Sequence, residues 1–346
     1  MIRKLLSPLV LAVLLVTVVK AEIYELPPTG YDVVGAISTI SARHEDTLVD
    51  IARRHGLGYQ DIVRANPDVN IWVPGEGAEV VLPTRFVLPP GPRSGVVLNL
   101  AEYRLYFFPE PKPGETAYVM TYPISIGRMD WETPLGLTKV ISKVRKPSWY
   151  VPQSVLDEHA ADGRPLPRIV PPGPDNPLGE YAMRLGLPGY LIHGTNRPAG
   201  VGMRVTHGCV RMFPEDIEYL FAQIDLNTRV RIINEPVKMG WDGEQLVMEV
   251  HPVLEVAVPE VREAMAAEQG AEGGVAESAA TADDLETAVV AKDPLTYVTE
   301  QFIDTTGERA GELDWHLAEQ LVDRSDGIPM PVGREIKNAA TSAAFH

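Results

Sequence analysis

The stretches Ile192-His193-Gly194-Thr195 and Thr206-His207-Gly208-Cys209-Val210-Arg211 hold the single cysteine of a 346-residue chain. Tyr190 to His193 reads as a short apolar strand, so one histidine is placed by a strand and a second lies two residues before the thiol. A cysteine reacts as thiolate. Its free pKa is about 8.5 and that of histidine about 6.5, so a neighbouring imidazole can take the proton near neutral pH. Gly208 lacks a Cβ and permits a tight backbone turn. The N–H groups of Gly208 and Cys209 can then face a developing oxyanion, as acyl transfer requires. The structural alternatives are an inert buried thiol, a hydrogen-bonded core histidine at position 193, and a purely structural His207.

Outward from this motif, residues 93–236 read as a mostly β domain. Val96 to Leu100 and Arg104 to Phe108 form a hairpin pattern. Ala117 to Ile126 and Thr138 to Val144 read as strands, with Thr133-Pro134-Leu135-Gly136 as a turn. Thr228 to Ile233 alternates like a half-buried strand, and Pro214 to Gln223 is the one clear helix. The cluster Tyr103, Tyr106, Phe107 and Phe108 reads as core. Between Pro147 and Gly179 the chain is rich in Pro, Gly and polar residues. A loop of that length in a compact domain is either a covering flap or a plain excursion.

The N-terminus begins with basic Arg3 and Lys4, an apolar run from Leu5 to Val19, and small residues at a cleavage position after Ala21. Residues 1–21 are therefore expected to be a signal peptide directing export to the periplasm. Residues 38–88 read as strand, helix, helix, strand. Asp46-Thr47 caps the first helix, Tyr59 to Ala65 is the second, and Glu79 to Leu82 is a strand closed by Pro83. The first strand is weakly patterned. Residues 237–292 read as an extension and an acidic Ala/Glu/Gly-rich spacer. Residues 293–335 regain Leu, Ile, Phe and Trp315 and read as a small C-terminal segment.

The unit at 38–88 resembles a LysM module, on Asp46, Thr47, Leu48, Ile51, Ala52, Gly56, Asn66, Pro67, Gly77, Val81 and Pro83. Glu45 stands where that family has Gly. The resemblance implies binding to glycan strands. The pattern His193-Gly194 … Thr206-His207-Gly208-Cys209-Val210-Arg211, with Val201 to Val205 and Asn176-Pro177-Leu178-Gly179, resembles the YkuD-type L,D-transpeptidases, nearest to the Gram-negative ErfK/YbiS subgroup. That resemblance implies a β-sandwich-like catalytic fold acting on peptidoglycan stem peptides. It makes Cys209 the nucleophile and His193 the general base, oriented by the Gly194 carbonyl. It gives His207 an assisting catalytic role, Gly208 the oxyanion site, and Arg211 and Arg204 the stem peptide. The acyl acceptor is left open between a lysine of an outer-membrane lipoprotein, which is favoured, a second stem, and water.

No cofactor and no metal are expected. There is no H-E-x-x-H pattern, and a single cysteine lacks the spaced partners of a thiolate zinc site. No S-x-x-K is present, which disfavours a serine penicillin-binding enzyme. The net charge of -16 argues against a nucleic-acid partner. The competing readings are a cysteine carboxypeptidase or hydrolase on wall peptides, and a non-enzymatic wall-binding protein.

Overall fold

The computed structural model describes residues 22–128, 132–254 and 292–337. The expected signal segment and most of the acidic spacer lie outside the described residues. Strand β1 (Glu22–Glu25) opens the chain, and β2 (Val33–Ser41), α1 (Leu48–Arg54), α2 (Tyr59–Ala65) and β3 (Glu79–Val87) follow. β2 and β3 form a two-stranded antiparallel sheet running from the pair Val33–Val87 to the pair Ser41–Glu79. Thr47 caps α1: its hydroxyl accepts from the Asp50 amide at 3.0 Å, and the Asp50 carboxylate accepts from the Thr47 amide. The Asn66 side chain bonds both main-chain groups of Val81 and the Ile62 carbonyl, locking α2 to β3.

Two sequence expectations change here. β2 is nine residues long although weakly patterned, because most of its residues face solvent and only Val34 is fully buried. β3 runs on through Pro83. Its sheet has only two strands, so both strands are edges and proline's missing N–H breaks no further ladder.

The central region supplies β4 (Gly95–Asn99), β5 (Arg104–Phe108), β6 (Tyr118–Pro123), β7 (Ile126–Gly127) and β8 (Gly136–Arg145). Next come β9 (Trp149–Tyr150), α3 (Gln153–Ala161), β10 (Ile169–Val170), β11 (Tyr181–Leu185) and β12 (Leu191–His193). The last part is β13 (Arg204–Thr206), β14 (Val210–Arg211), α4 (Pro214–Gln223) and β15 (Arg229–Ile233). Eight of these strands join β1 in one nine-stranded sheet in the order β1-β6-β5-β4-β15-β8-β11-β12-β14, while β9 pairs with β10 and β7 with β13. The mostly β, sandwich-like expectation takes the form of a large mixed sheet, covered on each face by something other than a second large sheet.

The strand period of two explains how. Val96, Leu98, Leu105, Phe107, Met120 and Tyr122 point into a core shared with Ile217, Leu220 and Phe221 of α4. The residues between them, Val97, Tyr106, Phe108 and Val119, point the other way and share a core with Leu48, Ile51, Ile62 and Phe86 of the N-terminal module. Every residue of β5 is therefore buried. The N-terminal module is a cover for the sheet rather than a bead on a linker. Arg104 crosses this seam, 1% exposed, paired with Asp61 of α2 and lying 4.3 Å over the Phe86 ring. Asp61→Asn leaves that guanidinium buried without a counter-charge. It is expected to lower unfolding free energy by about 3 kcal/mol or more in denaturant titration.

The chain closes with β16 (Val237–Asp242), β17 (Gln245–Val250), α5 (Pro294–Thr306), β18 (Gly311–Leu313), α6 (Trp315–Arg324) and β19 (Met330–Glu335). The segment expected to be extension and spacer begins with a β-hairpin, and the C-terminal segment adds two strands to it, in the order β16-β17-β19-β18. Lys238 of β16 is fully buried among Glu102, Glu249 and the Val87 carbonyl, so one ammonium ties together all three parts of the chain.

Candidate active site

β12 and β14 are parallel neighbours, with Ile192 opposite Val210 and His193 opposite Arg211. Side chains in register point to the same face, so His193 and Arg211 share a face, and Cys209 lies two residues before Arg211. All three line one cavity of about 1230 Å³. Its far wall is the segment read from sequence as a loop. That segment is a small subdomain: β9 pairs with β10, and α3 stands between them. Pro- and Gly-rich composition hid α3. The subdomain is anchored by Asn176, fully buried, whose amide donates to the carbonyls of Pro147, Val170 and Pro171, while its oxygen accepts from the Leu178 amide.

His193 is buried, and its Nδ1 lies 2.6 Å from the Gly194 carbonyl oxygen. A carbonyl can only accept, so Nδ1 carries the proton and Nε2 is the bare, basic nitrogen. Gly179, at φ +68, packs on this backbone; a Cβ there would sit 2.9 Å from the Thr195 nitrogen. Burial, and then the charge of Arg211, push the His193 pKa down to about 3. Cys209 is half-buried, with Sγ 3.6 Å from the Gly189 carbonyl. Burial raises its thiol above the ordinary value, while the Leu191 backbone and Arg211 pull it down. Burial thus disfavours the charged form of both groups.

The turn at Gly208 has φ +90, which only glycine adopts without strain. Its carbonyl accepts from Thr133 Oγ1 at 2.8 Å, and the Cys209 carbonyl accepts from Thr206 Oγ1 at 2.6 Å. Among the described residues, neither the Gly208 nor the Cys209 amide has an acceptor. Two such donors suit the oxyanion of an acyl-transfer intermediate.

His207 and Arg204 are placed differently. His207 lines the cavity, but its Nε2 sits 2.7 Å from Glu158 of α3, which also pairs with Arg128 at 2.9 Å. Hydrogen bonds from His207 and then Arg128 lower the Glu158 pKa. His207 thus fastens the covering subdomain to the Gly208-Cys209 turn. Arg204 is not part of the cavity lining; it donates to the Gly127 carbonyl at 3.1 Å and lies 3.7 Å from Glu132. These contacts brace β7 against β13.

Residues 93–232 match the YkuD family, the L,D-transpeptidase catalytic domain. "Probable L,D-transpeptidase YcfS" of Escherichia coli strain K12 is 40% identical over 250 residues, covering 70% of this chain and 77% of that protein. The chain belongs to the YkuD family of L,D-transpeptidases.

"Probable L,D-transpeptidase ErfK/SrfK" of Salmonella typhimurium is 41% identical over 236 residues, covering 67% of this chain and 74% of that protein. "Probable L,D-transpeptidase YbiS" of Escherichia coli strain K12 is 40% identical over 239 residues, with 68% and 76% covered. The protein is an enzyme acting on peptidoglycan. Within the L,D-transpeptidase domain, three contributors escaped the sequence reading. Thr133, Glu158 and Arg197 lie outside the cysteine motif and reach the site only through folding. The loop before β13 is also gripped by the N-terminal module. The Tyr59 amide donates to the Val201 carbonyl at 2.9 Å, and a Cβ on Gly58 would meet the Gly202 Cα at 2.8 Å.

Proposed function

We propose that the protein is an exported, periplasmic transpeptidase that forms a Cys209 thioester with the donor stem peptide and passes the acyl group to a lysine amine of an outer-membrane lipoprotein. The observation that carries the proposal is the single face shared by His193, Cys209 and Arg211, below two amides with no acceptor among the described residues. His193 Nε2 takes the thiol proton as Sγ attacks the carbonyl of the third stem residue, diaminopimelate. The tetrahedral oxyanion is held by the Gly208 and Cys209 amides. The C–N bond to the terminal D-alanine breaks, and His193 returns the proton to the leaving amine. The acceptor amine then attacks the thioester, loses its proton to His193 and leaves an amide and a free thiol.

The β-α-α-β unit with its Thr47 cap supports the LysM reading, in which this module holds glycan strands near the site. The signal-like pattern of residues 1–21 supports export. Residues 22–346, incubated with disaccharide-tetrapeptide, should release D-alanine and gain the mass of the acyl group on Cys209. Discharge by a lysine-ended lipoprotein peptide supports anchoring. Discharge only by a second stem makes the product a crosslink, and discharge by water alone makes the enzyme a carboxypeptidase. Absence of any adduct removes the thioester mechanism.

A further inference from the structure

The charge of the cavity runs opposite to that of the chain. The protein carries a net charge of -16, yet Lys146, Arg184, Arg197 and Arg211 all line the cavity, and among the described residues Asp175 is the one carboxylate in its wall. Several arginines elsewhere are paired: Arg53 with Glu215, Arg54 with Asp46, Arg93 with Asp32, Arg104 with Asp61, Arg128 with Glu158. Among the described residues, none of the four lining cations makes an ion pair. The Nε of Arg211 is buried with no hydrogen-bond partner. Arg197 lies close enough that its charge acts on Arg211. Two guanidiniums held near each other without a counter-ion cost electrostatic energy that an anionic ligand would recover. Guanidinium forks suit carboxylates in particular.

We propose that these four side chains form a carboxylate receptor that selects donor peptides whose carboxylates are free acids rather than amides, with Arg197 a specificity residue beside Arg211. This inference rests on the transpeptidase reading and narrows its substrate class. The reacting carbonyl must lie at Cys209, so carboxylates flanking it on the third and neighbouring stem residues fall within reach of the cationic wall. Amidation would remove the negative charge and present an N–H to a guanidinium that can only donate. Each charge-assisted bond lost that way is expected to weaken kcat/KM by about 10- to 100-fold.

The test uses residues 22–346 and two soluble tetrapeptides that differ only in whether the side carboxylates are free or amidated. D-alanine release gives kcat/KM for each. The wild type should favour the free acid at least about tenfold, with the preference shrinking as salt rises. Arg197→Gln should narrow the ratio of the two substrates; Arg197 is exposed, so this variant should melt like the wild type. Equal use of both peptides by the wild type would overturn the receptor, and so would an unchanged ratio in Arg197→Gln combined with Arg184→Gln. Turnover of neither peptide would instead sink the transpeptidase reading itself, which separates the two failures.

Discussion

Cys209→Ala is expected to end thioester formation and D-alanine release, with a loss of at least about 10^4-fold in kcat. The proposed nucleophile has no substitute: Cys209 is the chain's single cysteine, and among the described residues it alone presents sulfur to the cavity. The same change should leave folding almost untouched. Sγ makes only weak contacts, to the Gly189 carbonyl and the Leu191 backbone, and the residue is half-buried, so the cost should stay below about 1 kcal/mol. Intact mass after incubation with the donor peptide, read beside a thermal melt, separates the two effects. An acyl adduct on the alanine variant would show that another residue is the nucleophile. Loss of the melt along with activity would make Cys209 a core residue.

His193→Ala is expected to lower kcat/KM by about 10^2- to 10^4-fold, the usual range for a missing general base. Its pH behaviour is the sharper measurement. Burial and Arg211 hold the imidazole pKa near about 3, while burial holds the thiol above its ordinary value. Alkylation of the free enzyme by iodoacetamide should therefore climb into alkaline pH with no plateau between about pH 5 and 7, where an ion pair would give one. A plateau there that vanishes in His193→Ala would mean that the pair rests charged. The stability linkage has a definite sign. Between about pH 6.5 and about 3 the unfolded chain binds a proton that the folded His193 refuses, so stability rises with pH through that window and is lost on acidification. His193→Ala should flatten this part of the acid-stability curve.

The chemistry of this protein was legible because its parts are local. A cysteine two residues after His207, a glycine that must turn the chain at φ +90, and a strand ending at His193 are features of short sequence windows. The helix Pro214–Gln223 and the strand Arg104–Phe108 were likewise readable, since periodicity and burial agree there. β2 was faint because one turned-out face and solvent exposure erase the alternation that reading relies on. α3 was masked by prolines and glycines on either side, and the hairpin of β16 and β17 by the acidic spacer that follows it.

By itself the sequence determined the mostly β class and singled out Cys209 and His193 as candidate nucleophile and base, because reactivity and strand formation depend on residue type at fixed short spacing. Tertiary structure alone decided what surrounds them. It moved Arg204 out of the cavity and onto Gly127, and gave His207 to Glu158 on a helix 49 residues away in sequence. It brought unpaired Arg197 beside Arg211, and pressed the N-terminal module onto the sheet so that β5 is buried on both faces. Each of these depends on which distant segments meet. Long-range packing and charge pairing settle that question, and no local window of sequence contains them.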